Sequence, residues 1–346
     1  MNFAADPLPM TAVKIKRKEM TAFIVSMRVG QDRPGGEVQA RNSFRNLAAL
    51  PRFQRLCDRY GVMPVYLLTY PVLQAPITQW LQGQADIGAC EIGICLQPWT
   101  TPPFETNENR LTATPLSEIG GSRIHNKLET LVDTFVRTFG RAPLVHRGDG
   151  PDMSSACLQG LENLGIGIDT SAKPGCYDVL SGQTDWRQAP KVPYFPSRQD
   201  PASRGGSPVV EIPITTGVSW ASAPHVHRPL GLLRRSIEST AISRILEESI
   251  FSAGTPRPLD PTVLPFAQLR DLTDQAVRMQ LPHINAALRS ECLAAGESEV
   301  NKDAQAIEQV FDAIDSLFRY AIDTLRLKPV KMSVMGRQHA APSSAD

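Results

Sequence analysis

The residues of this chain that can ionise, ligate or donate strongly fall into a few short segments. In SMRVGQDR (Ser26–Arg33) the one carboxylate is Asp32. An aspartate there can hold a metal or act as a general base, and beside RPGG it equally suits a turn, bonding backbone amides. In CEIGICLQPWTTPPF (Cys90–Phe104), Cys95 offers a metal ligand or nucleophile if ionised and a small apolar group if buried. Cys90 stands five residues earlier, without the tight spacing of a zinc knuckle, and strand alternation puts the two on opposite faces. Trp99, set among prolines, presents a ring face for a sugar or for packing. In HRGDGPD, Arg147 and Asp149 suit an anionic or hydroxyl-rich ligand, or pair with each other on a turn, and His146 reads as a structural histidine. His283, in QLPHIN, lies at an apolar-to-polar transition. His225 and His227 share a face of an extended segment, but the sequence puts no third ligand near them. The chain contains no GxSxG elbow, GxxxxGK loop or dinucleotide fingerprint.

Apolar runs and helical stripes alternate along the chain and supply the elements that must position these groups. AFIVSMRV (Ala22–Val29) reads as a buried strand, RNLAALPRFQRLCDRYG as a helix with a stripe through Leu47, Leu50, Phe53 and Leu56, and MPVYLLTYPVL (Met63–Leu73) as a second strand. ITQWLQGQ is a short helix and DIGACEIGICLQ a third strand. Residues 122–139 carry Leu128, Leu131, Val132 and Phe135 at helical spacing. APLVHRGDG is a strand into a turn, SSACLQGLENLG a helix capped by Ser154 or Ser155, and IGIDTS and VVEIPITTG are strands. Helical patterns recur at 231–250, 263–280 and 303–325, and PVKMSVM reads as a closing strand. Strand–helix units of this kind predict parallel strands wrapped by helices, with reactive groups projecting from the C-terminal strand ends.

Composition bounds the function. The 346 residues carry 36 Lys and Arg against 35 Asp and Glu, a net charge of +1. No charge footprint for nucleic acid or an anionic membrane follows. No run approaches the ~20 apolar residues of a membrane helix, and no apolar signal segment opens the chain. A cytoplasmic protein with six free thiols is expected. Residues 1–20 read as a flexible leader, 21–336 as one domain with a loop insertion around 173–208, and 337–346 as a disordered tail.

Taken in order, LPRFQRLCDRYGVMPVYLLTYPV, CEIGICLQPWTTPPF, NKLETLVDTFVRTFGRAPLVHRG, LENLGIGIDTS, TDWRQAPKVPYFPS, VVEIPITTG and LPHINAAL, spanning about residues 22–335, resemble the polysaccharide deacetylase (NodB-homology) superfamily, closest to its WalW-like branch. The resemblance implies an α/β fold, a distorted (β/α) barrel of the glycoside hydrolase/deacetylase type. It also implies metal-dependent removal of an acetyl group from an N-acetylated sugar, with a water activated by the metal and an aspartate base. The family motifs are altered here. Ser26 and Arg28 stand where carboxylates are expected, with Asp32 nearby, and Cys95 and Gln97 stand where histidines are expected. Arg147 keeps an arginine motif, and Leu281-Pro282-His283 a late acid motif. The expectation is a deacetylase-like protein of glycan metabolism without that reaction and with no cofactor. Its site residues are His283 and Asp32 in the catalytic positions and Trp99, Arg147 and Asp149 on carbohydrate. The alternatives are an active deacetylase holding zinc on Cys95, Asp32 and His283, and a scaffold that binds a partner through the 173–208 loop.

Overall fold

A computed structural model describes residues 21–37, 42–104, 118–149, 153–177, 184–219 and 255–339. The predicted leader, the histidine pair at 225 and 227 and the helical pattern at 231–250 lie outside them.

The chain folds as an α/β barrel, distorted and irregularly closed. Its strands are β1 (Ala22–Val29), β2 (Val65–Leu68), β3 (Glu91–Leu96), β4 (Val145–Gly148), β5 (Ile168–Asp169), β6 (Val210–Glu211), β7 (Thr216–Gly217), β8 (Arg257–Pro258), β9 (His283–Arg289) and β10 (Lys328–Pro329). β1 to β6 pair in sequence order, all parallel. β9 pairs along almost the whole of β1, Ala22 with His283 through Arg28 with Arg289. β10 and β2 share the other edge of β1. β7 and β8 form a separate antiparallel pair. Between β6 and β9 no regular ladder forms. The gap is bridged by single bonds, Thr215 N to Asn285 O at 3.1 Å, Leu259 N to Thr215 O at 2.8 Å and Ala287 N to Leu259 O at 3.0 Å.

Strand alternation divides the core in two. Ala22, Ile24, Val65, Leu67, Cys95, Val145, Ile168, Val210 and Ile212 fill the barrel interior. Phe23, Val25, Met27, Tyr66, Leu68, Ile94 and Ile284 face outward under the helices. Gly93 marks a tight approach between β3 and β4: a Cβ there would lie 2.4 Å from the Val145 carbonyl oxygen.

The helices that cover the sheet include α1 (Leu50–Arg59), α2 (Tyr70–Leu73), α3 (Ile77–Asp86), α4 (Gly121–Phe139), α5 (Ser155–Asn163), α6 (Phe266–Arg278), α7 (Ala304–Arg319) and α8 (Met332–His339). α4 buries Ile124, Leu128, Leu131, Val132, Phe135 and Phe139 and ends at Gly140, whose φ of 66° is the left-handed conformation glycine adopts without strain. α7 starts at Asp303, which accepts from Ala306 N, and buries the predicted stripe Ile307, Val310, Phe311, Ile314, Leu317 and Phe318. Ser154 caps α5, accepting from Cys157 N at 3.1 Å.

Several elements differ from the sequence reading. The run Met63–Leu73 is a strand only over Val65–Leu68, because Pro71 begins a helical turn after Thr69. The closing strand is two residues long. Met332 and Met335 then enter α8 and plug the floor of the barrel interior, and the helix continues to His339, three residues into the predicted tail. HINAALR is the strand β9, seven residues long, with no counterpart in the sequence reading. The described residues of 173–208 hold two isolated bridges, Tyr194 with Glu211 and Pro196 with Arg204. Among the described residues no helix is long and apolar enough to cross a membrane.

Candidate functional site

The inward positions of β1 run from apolar Ala22 and Ile24 to polar Ser26 and then Arg28 at the C-terminal end. The inward positions of β9 are His283, Asn285, Ala287 and, at the same end, Arg289, and β4 adds Arg147 with Asp149 just beyond. The polar ends of these strands therefore converge at one mouth of the barrel. A hydrogen-bonded layer floors it. Ser26 Oγ donates to Asn285 Oδ1 at 2.8 Å. Asn285 Nδ2 donates to Thr170 Oγ1 at 3.0 Å, and Thr170 Oγ1 to Ile212 O at 2.8 Å. Arg147 binds this floor through Nε to Thr170 O at 2.9 Å and Nη2 to Ser26 Oγ at 2.6 Å.

Arg28 sits above the floor and is almost completely buried. Its Nη1 donates to Asp149 and its Nη2 to Glu291. Burial alone would lower the Arg28 pKa. The two carboxylates outweigh it and raise the value, so the guanidinium stays charged. The Asp149 carboxyl is pushed up by burial but pulled lower overall by Arg28, Arg33 and the Gln97 amide, which donates from Nε2 at 2.6 Å.

A cavity of about 400 Å³ opens over this layer, between the ends of β1, β4 and β9 and the β8 segment. Among the described residues, six cationic side chains line it against two carboxylates, Asp149 and Asp260. Ile214, Pro258, Val263 and Leu264 form an apolar part of its wall.

The structure distributes the predicted site residues unevenly. Arg147 and Asp149 both line the cavity, but they do not pair with each other, since Asp149 is taken by Arg28 and Gln97. Asp32 is fully buried in a turn. It accepts from Arg45 N at 2.8 Å, Asn46 N at 2.9 Å and the Ser43 hydroxyl. Trp99 is buried and lies outside the cavity lining. Its loop is held by Lys127 of α4, whose buried Nζ donates to the carbonyls of Pro98, Thr101 and Pro103 at 2.8–3.0 Å. His283 pairs with Ala22, six residues before Arg28, so it stands ~20 Å from the mouth at the other end of the strand. There its Nε2 donates to Pro213 O at 2.9 Å, and burial lowers its pKa to about 4. His146 faces outward and bonds through Nδ1 to Asp169 Oδ1 at 2.6 Å, with Glu211 behind it.

The site residues the sequence reading missed are Glu291, Arg289, Asn285 and Lys173. The first three follow from β9. The signal was the alternation of Ile284, Ala286 and Leu288 with His283, Asn285 and Arg289, broken at Ala287.

The divalent metal implied by the resemblance can be tested against this geometry. Its proposed ligands Asp32, Cys95 and His283 are not brought together. Cys95 is fully buried, and burial pushes its thiol well up, away from the thiolate a metal needs. Arg28 instead places a fixed positive charge between the two carboxylates at the mouth. Among the described residues no three His, Cys, Asp or Glu side chains converge on a common point. These residues do not fit a divalent cation.

Neither a protein-family model nor a curated protein matches the sequence. Solved structures do match the fold. A chain from Parabacteroides distasonis assigned as a glycoside hydrolase/deacetylase superposes with a TM-score of 0.60 at 11% identity, covering 92% of this chain and 71% of its own. One from Mycobacterium smegmatis assigned to the polysaccharide deacetylases gives 0.53 at 12% identity, covering 96% and 94%. The alpha-amylase AmyC from Thermotoga maritima gives 0.52 at 11%, covering 93% and 75%. At these identities the likeness is one of fold.

Proposed function

We propose that this protein is a deacetylase-type barrel of bacterial glycan metabolism, of the WalW-like branch, that binds carbohydrate at the C-terminal mouth of its barrel without the family's metal-assisted hydrolysis. The observation that carries the reading is Arg28, buried and bonded to Asp149 and Glu291, on the strand end where the resemblance expects the carboxylates of a metal site. The guanidinium offsets the charge of those carboxylates, but it has no open coordination position and cannot lower the pKa of a bound water. What remains is a binding site. Hydroxyl groups of a sugar can accept from Arg147 and donate to Asp149, and the apolar wall at Ile214 and Leu264 suits a ring face.

The test is titration of the protein with N-acetylglucosamine oligomers, with and without EDTA, with released acetate measured in the same samples. The reading expects binding that EDTA leaves unchanged and no acetate. Turnover lost on adding EDTA would contradict it.

A further inference from the structure

The charges around the cavity do not balance locally. Arg28 is matched by Asp149 and Glu291. Arg33 reaches Asp149 Oδ2 at 3.9 Å. Arg289 faces Asp260 at 3.7 Å and Glu291 at 4.0 Å. Those three cations and three carboxylates account for one another. Three more cations share the lining, and none has a carboxylate partner among the described residues.

Arg147 is one of them. Its Nε and Nη2 are used by neutral oxygens of Thr170 and Ser26, and Nη1 has no hydrogen bond to a described residue. Burial lowers its pKa to about 10, still high enough to keep the charge at neutral pH. Lys173 is the second. It lines the same cavity, half-buried, and its ammonium makes no hydrogen bond or ion pair with a described residue. Burial lowers its pKa to about 8, with Arg289 and Arg147 adding to the fall and Cys176 and Asp260 opposing it. Arg257, exposed at the rim on β8, is the third. The whole chain carries only +1, so this surplus is local to the cavity. Asp169 and Glu211 act on Arg147, and Asp260 on Lys173, only at a distance, so holding the three cations together without a paired carboxylate among the described residues costs stability, and an anion that enters the cavity relieves that cost.

We infer that the ligand of this cavity is anionic, a sugar bearing a phosphate or a carboxylate whose charged group is held by Arg147, Lys173 and Arg257. The sugar part rests on the carbohydrate reading above, while the anionic part stands on the cavity. A phosphate or carboxylate would accept from Arg147 Nη1 and Lys173 Nζ, groups that have no acceptor among the described residues, and charge-assisted bonds of this kind are among the stronger ones.

The experiment is calorimetric titration of the full chain with D-glucose, D-glucuronate, D-glucose 6-phosphate and inorganic phosphate, repeated on Lys173→Met and Arg257→Gln. The expected result is that glucuronate or glucose 6-phosphate binds at least about tenfold tighter than glucose, and that each substitution weakens that binding about tenfold. Which of the two acids binds identifies the source as carboxylate or phosphate. Lys173→Met should also raise the thermal midpoint, since it removes an uncompensated charge, so a loss of affinity there is not a loss of fold. Inorganic phosphate binding as tightly as either sugar acid would support the anion site and contradict the carbohydrate reading. Glucose binding as tightly as the sugar acids, or sugar-acid binding unchanged in both variants, would overturn this inference while leaving the carbohydrate reading intact. No binding by any of the four would overturn it as well.

Discussion

Arg28 on the first strand and Asp149 just past the fourth close an ion pair across the mouth of the barrel, 121 positions apart in the chain. The pair is buried, and Glu291 completes it from the far side of β1. The guanidinium bonds one oxygen of each carboxylate, while Arg28 Nε and Glu291 Oε2 stay buried without a hydrogen-bond partner among the described residues. The pair and Glu291 tie the ends of β1, β4 and β9 together at the mouth.

Replacing Arg28 with alanine should therefore expose two problems at once. Asp149 and Glu291 would be left as buried neighbouring carboxylates, a loss of about 3–5 kcal/mol in urea denaturation. Millimolar Mg²⁺ or Ca²⁺ should recover part of that loss in the variant and have no effect on the parent. Equal cation effects on both proteins would contradict the role given to Arg28.

Lys127 is predicted to be the anchor of the loop that carries Trp99. Lys127→Met keeps the apolar stem but strands the carbonyls of Pro98, Thr101 and Pro103. A destabilisation of about 2–4 kcal/mol is expected, with a change in Trp fluorescence. An unchanged urea midpoint would show that the loop holds itself.

Acid sensitivity should trace to His283. Burial holds its folded-state pKa near 4, against an ordinary value of 6.5. Below pH 6.5 the unfolded chain takes up a proton that the folded chain refuses. The contribution of the neutral ring is thus complete above about pH 6.5, falls as the pH drops, and is lost by about pH 4, a difference of about 3 kcal/mol. His283→Gln should flatten stability against pH over that window. A slope identical to the parent's would place the acid sensitivity elsewhere.

Gly93 tolerates no side chain. Alanine there would press its Cβ against the Val145 carbonyl oxygen at 2.4 Å, prising β3 from β4. A loss of about 3 kcal/mol is expected by thermal melting, against less than about 1 kcal/mol for Gly83→Ala on the open face of α3. Similar melting points for the two variants would contradict the close packing of these strands.

The barrel itself was legible because its elements announce themselves locally. The stripe of α7, the cap at Ser154 and the apolar run of β1 each depend on residues a few positions apart. The strand β9 was not, because HINAALR has two small alanines where a buried strand usually carries branched residues, and only its pairing along β1 identifies it. Arg147 and Asp149 were legible as charged groups at a strand end, and both line the cavity. Their partners were not, since the ion pair joins Asp149 to Arg28 and Glu291 rather than to its near neighbour. Asp32 and His283 have residue types suited to chemistry. The turn at Ser43–Asn46 and the N-terminal start of β9 give their polar atoms structural partners instead. That outcome depends on three-dimensional neighbours that spacing does not encode.

The central claim is that Arg28 takes the place of a divalent cation at the barrel mouth. Elemental analysis of the full chain, purified without chelator and dialysed against Zn²⁺, Co²⁺ or Mn²⁺, tests it most directly. The account predicts well below one metal ion per chain for each of the three. One ion per chain, lost on substituting Asp149 or Glu291, would contradict it.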